Sequence, residues 1–242
     1  MSARPALRVA VLIPARDEEE TLPVLLATLA TADPGTGAIL QETLVVDNGS
    51  SDRTPGAARA AGARVVLQPR KGYGFACRTG IEELARRPPD AVVFMDADDF
   101  EAPRQIRALL DPIRRGEADL VIGERRAVGA DGVRAHAALG NRVVSVVLRG
   151  LYGSTTRDMG PYRAIRWAVL RDLALDEPTY GWYVQMQVRA LRAGYRVPGV
   201  PVEFRRRSRG RSKVSGSLAG SLAAGWVMLR TLAVEALRAP AR

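Results

Sequence analysis

The chain is short of several things, and each shortage narrows what it does. A single cysteine, Cys77, among 242 residues leaves no internal disulfide, so a reducing, cytoplasmic setting is the expectation. One histidine, His136, excludes a histidine-rich metal centre. No stretch of 18 uninterrupted apolar residues offers a spanning helix. Val9 to Pro14 is too short for the core of a signal peptide. Aromatics are only 5% of residues, and all but two of the basic residues are arginine. No internal repeat or low-complexity linker interrupts the sequence.

What is present is a basic, moderately apolar chain. A net charge of +10 with 47% hydrophobic residues suits one α/β domain with a small appendage and permits anionic partners. Short apolar runs at Val9–Ile13, Thr43–Val46, Arg64–Leu67, Ala91–Met95 and Asp119–Ile122 predict buried strands. Between them, Leu22, Leu25, Leu26 and Leu29 keep helical spacing, as do Ile106, Leu109, Leu110 and Ile113. Thr54 before Pro55 predicts a cap, and Gly62 a stop. Strand–helix alternation over the first 125 residues predicts a mostly parallel α/β sheet with helices on both faces.

The second half is less regular. Helices are expected over 142–151, with Val143, Val144, Val147, Leu148 and Leu151 on one side, over 182–193 ending at Gly194, and over 217–237. Asp158–Pro161 reads as a turn and 196–204 as an edge strand, since Pro198 and Pro201 do not suit a central one. In the last helix Leu218, Leu222, Trp226, Leu229, Ala233 and Leu237 recur at helical spacing. Such a stripe predicts core, a homodimer face or an interfacial membrane helix.

In an open parallel sheet, ligands sit beyond the carboxyl ends of the strands. Those ends carry Pro14-Ala15-Arg16-Asp17-Glu18, Asp47-Asn48-Gly49-Ser50, Asp96-Ala97-Asp98-Asp99 and Gly123-Glu124-Arg125. Residues two apart in an extended segment face one side, so Asp96 and Asp98 offer hard oxygen ligands to Mg²⁺ or Mn²⁺. Two acids after a strand are also ordinary helix-capping chemistry, and Asp47-Asn48-Gly49 is ordinary turn chemistry. Arg16 with Glu18 equally reads as a surface ion pair.

The order of three segments decides between these readings. Ile13-Pro14-Ala15-Arg16-Asp17-Glu18-Glu19, Val45-Val46-Asp47-Asn48-Gly49-Ser50-Ser51-Asp52 and Met95-Asp96-Ala97-Asp98 resemble, in order and near spacing, family 2 glycosyltransferases of the GT-A fold. The resemblance covers residues 8–125 well, which makes them the nucleotide-sugar half. Residues 126–213 become the acceptor half of a 1–213 domain, and 214–242 a C-terminal amphipathic helix. It implies that Pro14, Ala15, Arg16 and Glu18 wall the nucleoside pocket and that Asp47, beside Asn48, pairs with the base. It implies Asp96 on the ribose side, Asp98 as principal metal ligand with Ala97 between them, and Arg125 near phosphate. Lys71-Gly72-Tyr73-Gly74 resembles a flexible glycine-containing loop near the donor.

Within that family the second half is similar to the dolichyl-phosphate mannose synthase group, through Asp158-Met159-Gly160-Pro161-Tyr162-Arg163, Tyr180-Gly181-Trp182 and Arg209-Gly210-Arg211-Ser212-Lys213. The likeness implies a polyprenyl-phosphate acceptor, with Arg209 and Lys213 closing over phosphates at a membrane surface. Arg211 replaces the usual acid of that segment, and Gln187 stands where an acid is common. A hydroxyl acceptor needs a general base, whereas a phosphate is already ionised. Asp158 and Glu177 are the spare carboxylates of the second half, and Asp158 equally reads as holding its own loop. The expected activity is therefore an inverting, metal-dependent hexosyl transfer from a GDP-mannose or UDP-glucose type donor. The alternative is a soluble enzyme acting on a hydroxyl of a small metabolite or glycan. A nucleotidyltransferase would carry a glycine-rich loop where Ala15-Arg16-Asp17-Glu18 stands. A nucleic-acid binder would interleave aromatics in the basic run 205–213, which has none.

Overall fold

A computed structural model describes residues 5–127, 135–204 and 218–238. In the two helices that open the second and third of these spans, side chains are described from residues 142 and 225 onward. Seven strands form one sheet: β1 (Leu7–Ala15), β2 (Ala38–Asp47), β3 (Arg64–Leu67), β4 (Ala91–Phe94), β5 (Leu120–Ala127), β6 (Arg163–Arg166) and β7 (Gly199–Phe204). Their order is β3-β2-β1-β4-β6-β5-β7. All pairings are parallel except those of β6, which runs antiparallel to both β4 and β5.

The helices are α1 (Leu22–Ala30), α2 (Thr54–Ala60), α3 (Tyr73–Leu84), α4 (Ile106–Arg114), α5 (Ala135–Tyr152), α6 (Trp167–Asp172), α7 (Trp182–Arg192) and α8 (Leu218–Leu237). β1 reads as a continuous apolar run because both faces of the sheet are covered. Val9, Val11 and Ile13 pack with Leu25, Leu29, Ile106 and Leu109 of α1 and α4. Ala10 and Leu12 pack on the other face with Cys77 of α3 and with Trp182 and Met186 of α7. The helical spacing read for α1 and α4 is the spacing of their buried residues. Gly62 and Gly194 take positive φ just beyond α2 and α7, as helix stops do.

Three expectations are corrected. Thr54 is the first residue of α2 and Arg53 holds the cap position, while Asp52 just before it accepts the Thr54 amide at 2.9 Å as well as its hydroxyl. Asp158–Pro161 is not a turn but part of an irregular stretch in which Ser154, Thr156, Asp158 and Met159 are all buried. In α5, Val144 and Leu148 face inward while Val143 and Leu151 are exposed, so the five apolar residues do not share one buried side. Of the three readings open for the α8 stripe, core falls away at the described positions: Trp226, Leu229, Ala233 and Leu237 face outward, and Thr231, Leu232 and Glu235 are the buried positions. β7 is an edge strand as expected, starting just after Pro198. Among the described residues, no helix is long and apolar enough to cross a membrane.

Candidate active site

Parallel pairing brings the strand ends to one rim. Ala15 is the register partner of Asp47, and Leu12 that of Phe94, which places Asp96 beside the end of β1. Asn48 then donates its amide to the Ala15 carbonyl at 2.8 Å. The loops after β1 and β2 are stitched together by reciprocal bonds. Asp17, Glu18 and Glu19 donate their amides to Ser50 Oγ, Thr54 Oγ1 and Asp52 Oδ2. In return, Ser51 and Arg53 donate their amides to the Asp17 and Glu19 carboxylates. Burial works to raise the Asp52 pKa, but the hydrogen bonds from Thr54 and Glu19 outweigh it and the net shift is downward.

Within this frame the expected residues divide. Pro14 and Ala15 are buried in the wall, while Arg16 is exposed beside Asp17 at 3.6 Å. Glu18 is buried, and its Oε2 accepts the Thr21 hydroxyl at 2.6 Å. Asp47 is buried, and its Oδ1 has no hydrogen-bond partner, while Oδ2 accepts the Ser50 amide at 3.3 Å. A buried carboxylate oxygen without a donor costs stability unless a ligand supplies one.

Asn48 serves the protein rather than the pocket. Its Nδ2 donates to the carbonyls of Gln68 and Arg70 at 3.2 and 2.7 Å, and its Oδ1 accepts the Gly72 amide at 2.8 Å. The loop it holds is clamped from the other side too. A Cβ at Gly74 would collide with the Glu177 carbonyl oxygen, one at Gly72 with that of Pro178, and the Tyr73 hydroxyl meets that of Tyr183 on α7. The 71–74 segment is therefore packed on both sides, and Tyr73 and Gly74 open α3. Exposed Lys71 stands at its start, with its stem beside Gly49.

Beyond β4, Ala97 is buried between half-buried Asp96 and Asp98. Asp99 accepts the Ala102 amide at 3.2 Å. Burial, followed by the nearby Asp98 charge, pushes the Asp99 carboxyl up to about 6. Arg125 adds positive charge here: Asp96 and Asp99 both help to hold its proton. Its guanidinium makes a bidentate pair with Asp158, Nε to Oδ2 and Nη2 to Oδ1, both at 2.8 Å, and its amide donates to Oδ2 as well. Burial works against the Arg125 charge, yet the Asp158 pair raises its pKa overall. Both Asp158 oxygens are thus engaged, which favours the loop-holding role over the base. Glu177 is engaged too, by Thr179 at 2.7 Å and by Thr231 at 3.4 Å. Arg209 and Lys213 lie outside the described residues.

Sequence reasoning missed Arg163. It is completely buried at the start of β6, donating to the carbonyls of Gly160 and Tyr183 at 2.8 Å each and stacking 4.7 Å from the Tyr183 ring. An arginine at the head of a four-residue strand gives no local sign of such burial.

A GT-A sheet carrying a buried acid after β2 and acids after β4 defines a glycosyltransferase. More particularly, the chain belongs to Glycosyl transferase family 2, whose model matches residues 10–174. It is 38% identical over 216 residues to an uncharacterized glycosyltransferase of Mycobacterium tuberculosis, covering 89% of this chain and 94% of that one. It is 34% identical over 247 residues to the undecaprenyl-phosphate mannosyltransferase of Micrococcus luteus, covering 93% and 98% respectively. Among solved structures it is similar to glucosyl-3-phosphoglycerate synthase from M. tuberculosis in complex with Mn²⁺, UDP-glucose and phosphoglyceric acid. That likeness has a TM-score of 0.76 at 25% identity and covers 95% of this chain and 79% of the other.

Proposed function

We propose that this chain carries a hexose from a GDP-mannose or UDP-glucose type donor to a polyprenyl phosphate, inverting the anomeric centre. Residues 8–125 act as the donor half and 126–213 as the acceptor half of the 1–213 domain, and the work is done at the cytoplasmic face of a bilayer. The observation that carries the reading is the engagement of both spare carboxylates: Asp158 is tied to Arg125, and Glu177 to Thr179 and Thr231. A phosphate nucleophile needs no base, and a hydroxyl does. The name of the Micrococcus relative, aligned over nearly its whole length, supports the same acceptor.

Asp47 Oδ1 is suited to accept an N–H of the nucleoside base, with Ala15 beside it in the sheet and Pro14, Arg16 and Glu18 as the further wall residues that the family resemblance implies. Half-buried Asp96 and Asp98 after β4 supply hard carboxylate oxygens of the kind a small divalent cation shares with phosphate, and since no three acidic, histidine or cysteine side chains gather into a metal site among the described residues, the donor diphosphate would have to complete the coordination. Asp98, with Asp96 nearby, would hold Mg²⁺ or Mn²⁺, which when bound supplies charge neutralisation for the diphosphate leaving group. Arg125, fixed by Asp158 and poised near Asp96, adds positive charge on the same side. Arg209 and Lys213 complete the grip on phosphate.

Transfer from radiolabelled GDP-mannose and UDP-glucose to a purified polyprenyl phosphate, with Mg²⁺ or Mn²⁺, tests the reading. Labelled lipid is the expected product. Donor turnover giving only water-soluble glycoside would replace it with a soluble acceptor, the reading favoured by the likeness to glucosyl-3-phosphoglycerate synthase.

A further inference from the structure

Helix α8 wears its amphipathicity inside out. Thr231 and Glu235 point inward, 6% and 1% exposed, while Trp226, Leu229, Val234 and Leu237 are 67%, 41%, 42% and 88% exposed. At 3.6 residues per turn, positions 226, 230, 233 and 237 fall within a sector of about 60°. That outward sector holds Trp226, Arg230, Ala233 and Leu237, with Leu229 and Val234 at its edges, and no acid.

Polar bonds hold the helix this way round. Glu235 accepts from Gln185 Nε2 at 2.9 Å, from Arg189 Nε and Nη2 at 3.1 and 2.9 Å, and from Arg238 Nη1 at 2.9 Å. Arg192 Nη1 adds a bond to the Glu235 carbonyl at 2.7 Å. Turning α8 to bury its apolar sector would strip Arg189 of its buried carboxylate and push Glu235 into solvent, so the network sets the rotation of the helix. The adjacent α5 follows the same plan. Its Val144 and Leu148 pack with Leu232, while Val143 and Val146 face outward between exposed Arg142 and Arg149.

We propose that the outward face of α8, flanked by α5, is a docking surface for an anionic lipid bilayer, with the helix lying in the interfacial plane and Trp226 at headgroup depth. Charge selects this occupant. The exposed sectors of both helices carry arginines and no acid. Six basic residues crowd positions 205–213, just before α8 in sequence, and the whole chain is +10. Apolar residues edged by arginine match the boundary between acyl chains and anionic headgroups. A second copy would set arginine against arginine. The inference rests on the polyprenyl-phosphate reading for its purpose, because that acceptor lives in a bilayer; its test does not.

The test floats the full chain with vesicles of phosphatidylcholine, with and without phosphatidylglycerol, and without any polyprenyl phosphate. Binding is expected only to the anionic vesicles, weakening as salt rises. Replacing Trp226, Leu229 and Leu237 together by serine should weaken it by roughly tenfold or more. The melting temperature and the transfer to a short, water-soluble polyprenyl phosphate should be unchanged. A wild-type chain that stays behind, or a triple variant that floats equally well, overturns the proposal. So does a concentration-dependent dimer, lost in the triple variant, in a chain that ignores vesicles; that result assigns the face to a second copy. Normal flotation with no transfer to any polyprenyl phosphate would sink the acceptor reading and leave the lipid-docking surface standing.

Discussion

The rim beyond β1, β2 and β4 and the outer face of α8 break the same packing rule in opposite directions. At the rim, Asp47 is buried with one carboxylate oxygen unpartnered, and three aspartates crowd the residues after β4. On α8 the buried polar groups are all bonded, and the apolar side chains are the ones left in the open. An unmade buried hydrogen bond costs about 1–3 kcal/mol, and leaving a large apolar side chain in water forgoes about 1.5–3 kcal/mol. Each region is an incomplete contact, and the kind of incompleteness names its partner: polar and small at the rim, apolar and extended at the helix. Local rules give way where a protein expects company.

The sharpest way to break this comparison is at Asp98. Asp98→Ala should cut transfer by on the order of 1,000-fold, the equivalent of several kcal/mol of charge stabilisation, and abolish Mn²⁺-dependent nucleotide binding in titration calorimetry. Near-normal rates would remove the rim from the chemistry. Next comes Asp158→Asn, which leaves Arg125 without its anion and should cost about 3 kcal/mol of stability in urea unfolding. A base would behave differently: stability would hold while the acid limb of the pH–rate profile disappeared.

Asp47→Ala sharpens the contrast rather than breaking it. It should raise the donor KM roughly 10- to 100-fold with little loss of kcat. The melting temperature of the free protein should hold or rise, since the substitution removes a buried oxygen that costs stability until the donor arrives and gives up only the long bond from the Ser50 amide at 3.3 Å. The smallest effect belongs to the α8 lock. Burial works to raise the Glu235 pKa, but Arg189 and Gln185 outweigh it, so the folded value lies below the ordinary 4.5. A depressed carboxylate contributes stability above its unfolded value that is lost as pH falls through the folded one. Stability measured against pH should therefore decline below about 4.5 less steeply in Glu235→Gln than in wild type.

How much of this could be read from the sequence follows from where the partners lie. β1, β2 and β4 are apolar runs ending in acids, so both the sheet and its polar rim were legible from adjacent residues. β6 was not: Arg163-Ala164-Ile165-Arg166 has no strand-like pattern, and the carbonyls that bond Arg163 Nε and Nη1 come from Gly160 and Tyr183. Asn48 belongs to the motif of the pocket, yet its side-chain partners are twenty or more residues away. The stripe of α8 was visible, but not its direction, because the side that packs is chosen by Glu235 and its partners Gln185 and Arg189 on another helix.

The clasp at Gly72 and Gly74 bears on how such enzymes exchange parts. The strip after β3 belongs by sequence to the donor half, but its backbone lies so close to 177–178 that a Cβ on Gly72 or Gly74 would collide with their carbonyls. A graft of a foreign acceptor half onto residues 8–125 would have to import its own counterpart of this strip along with it. The seam for recombination thus runs through the loop after β3, well inside what sequence alone marks as the donor module.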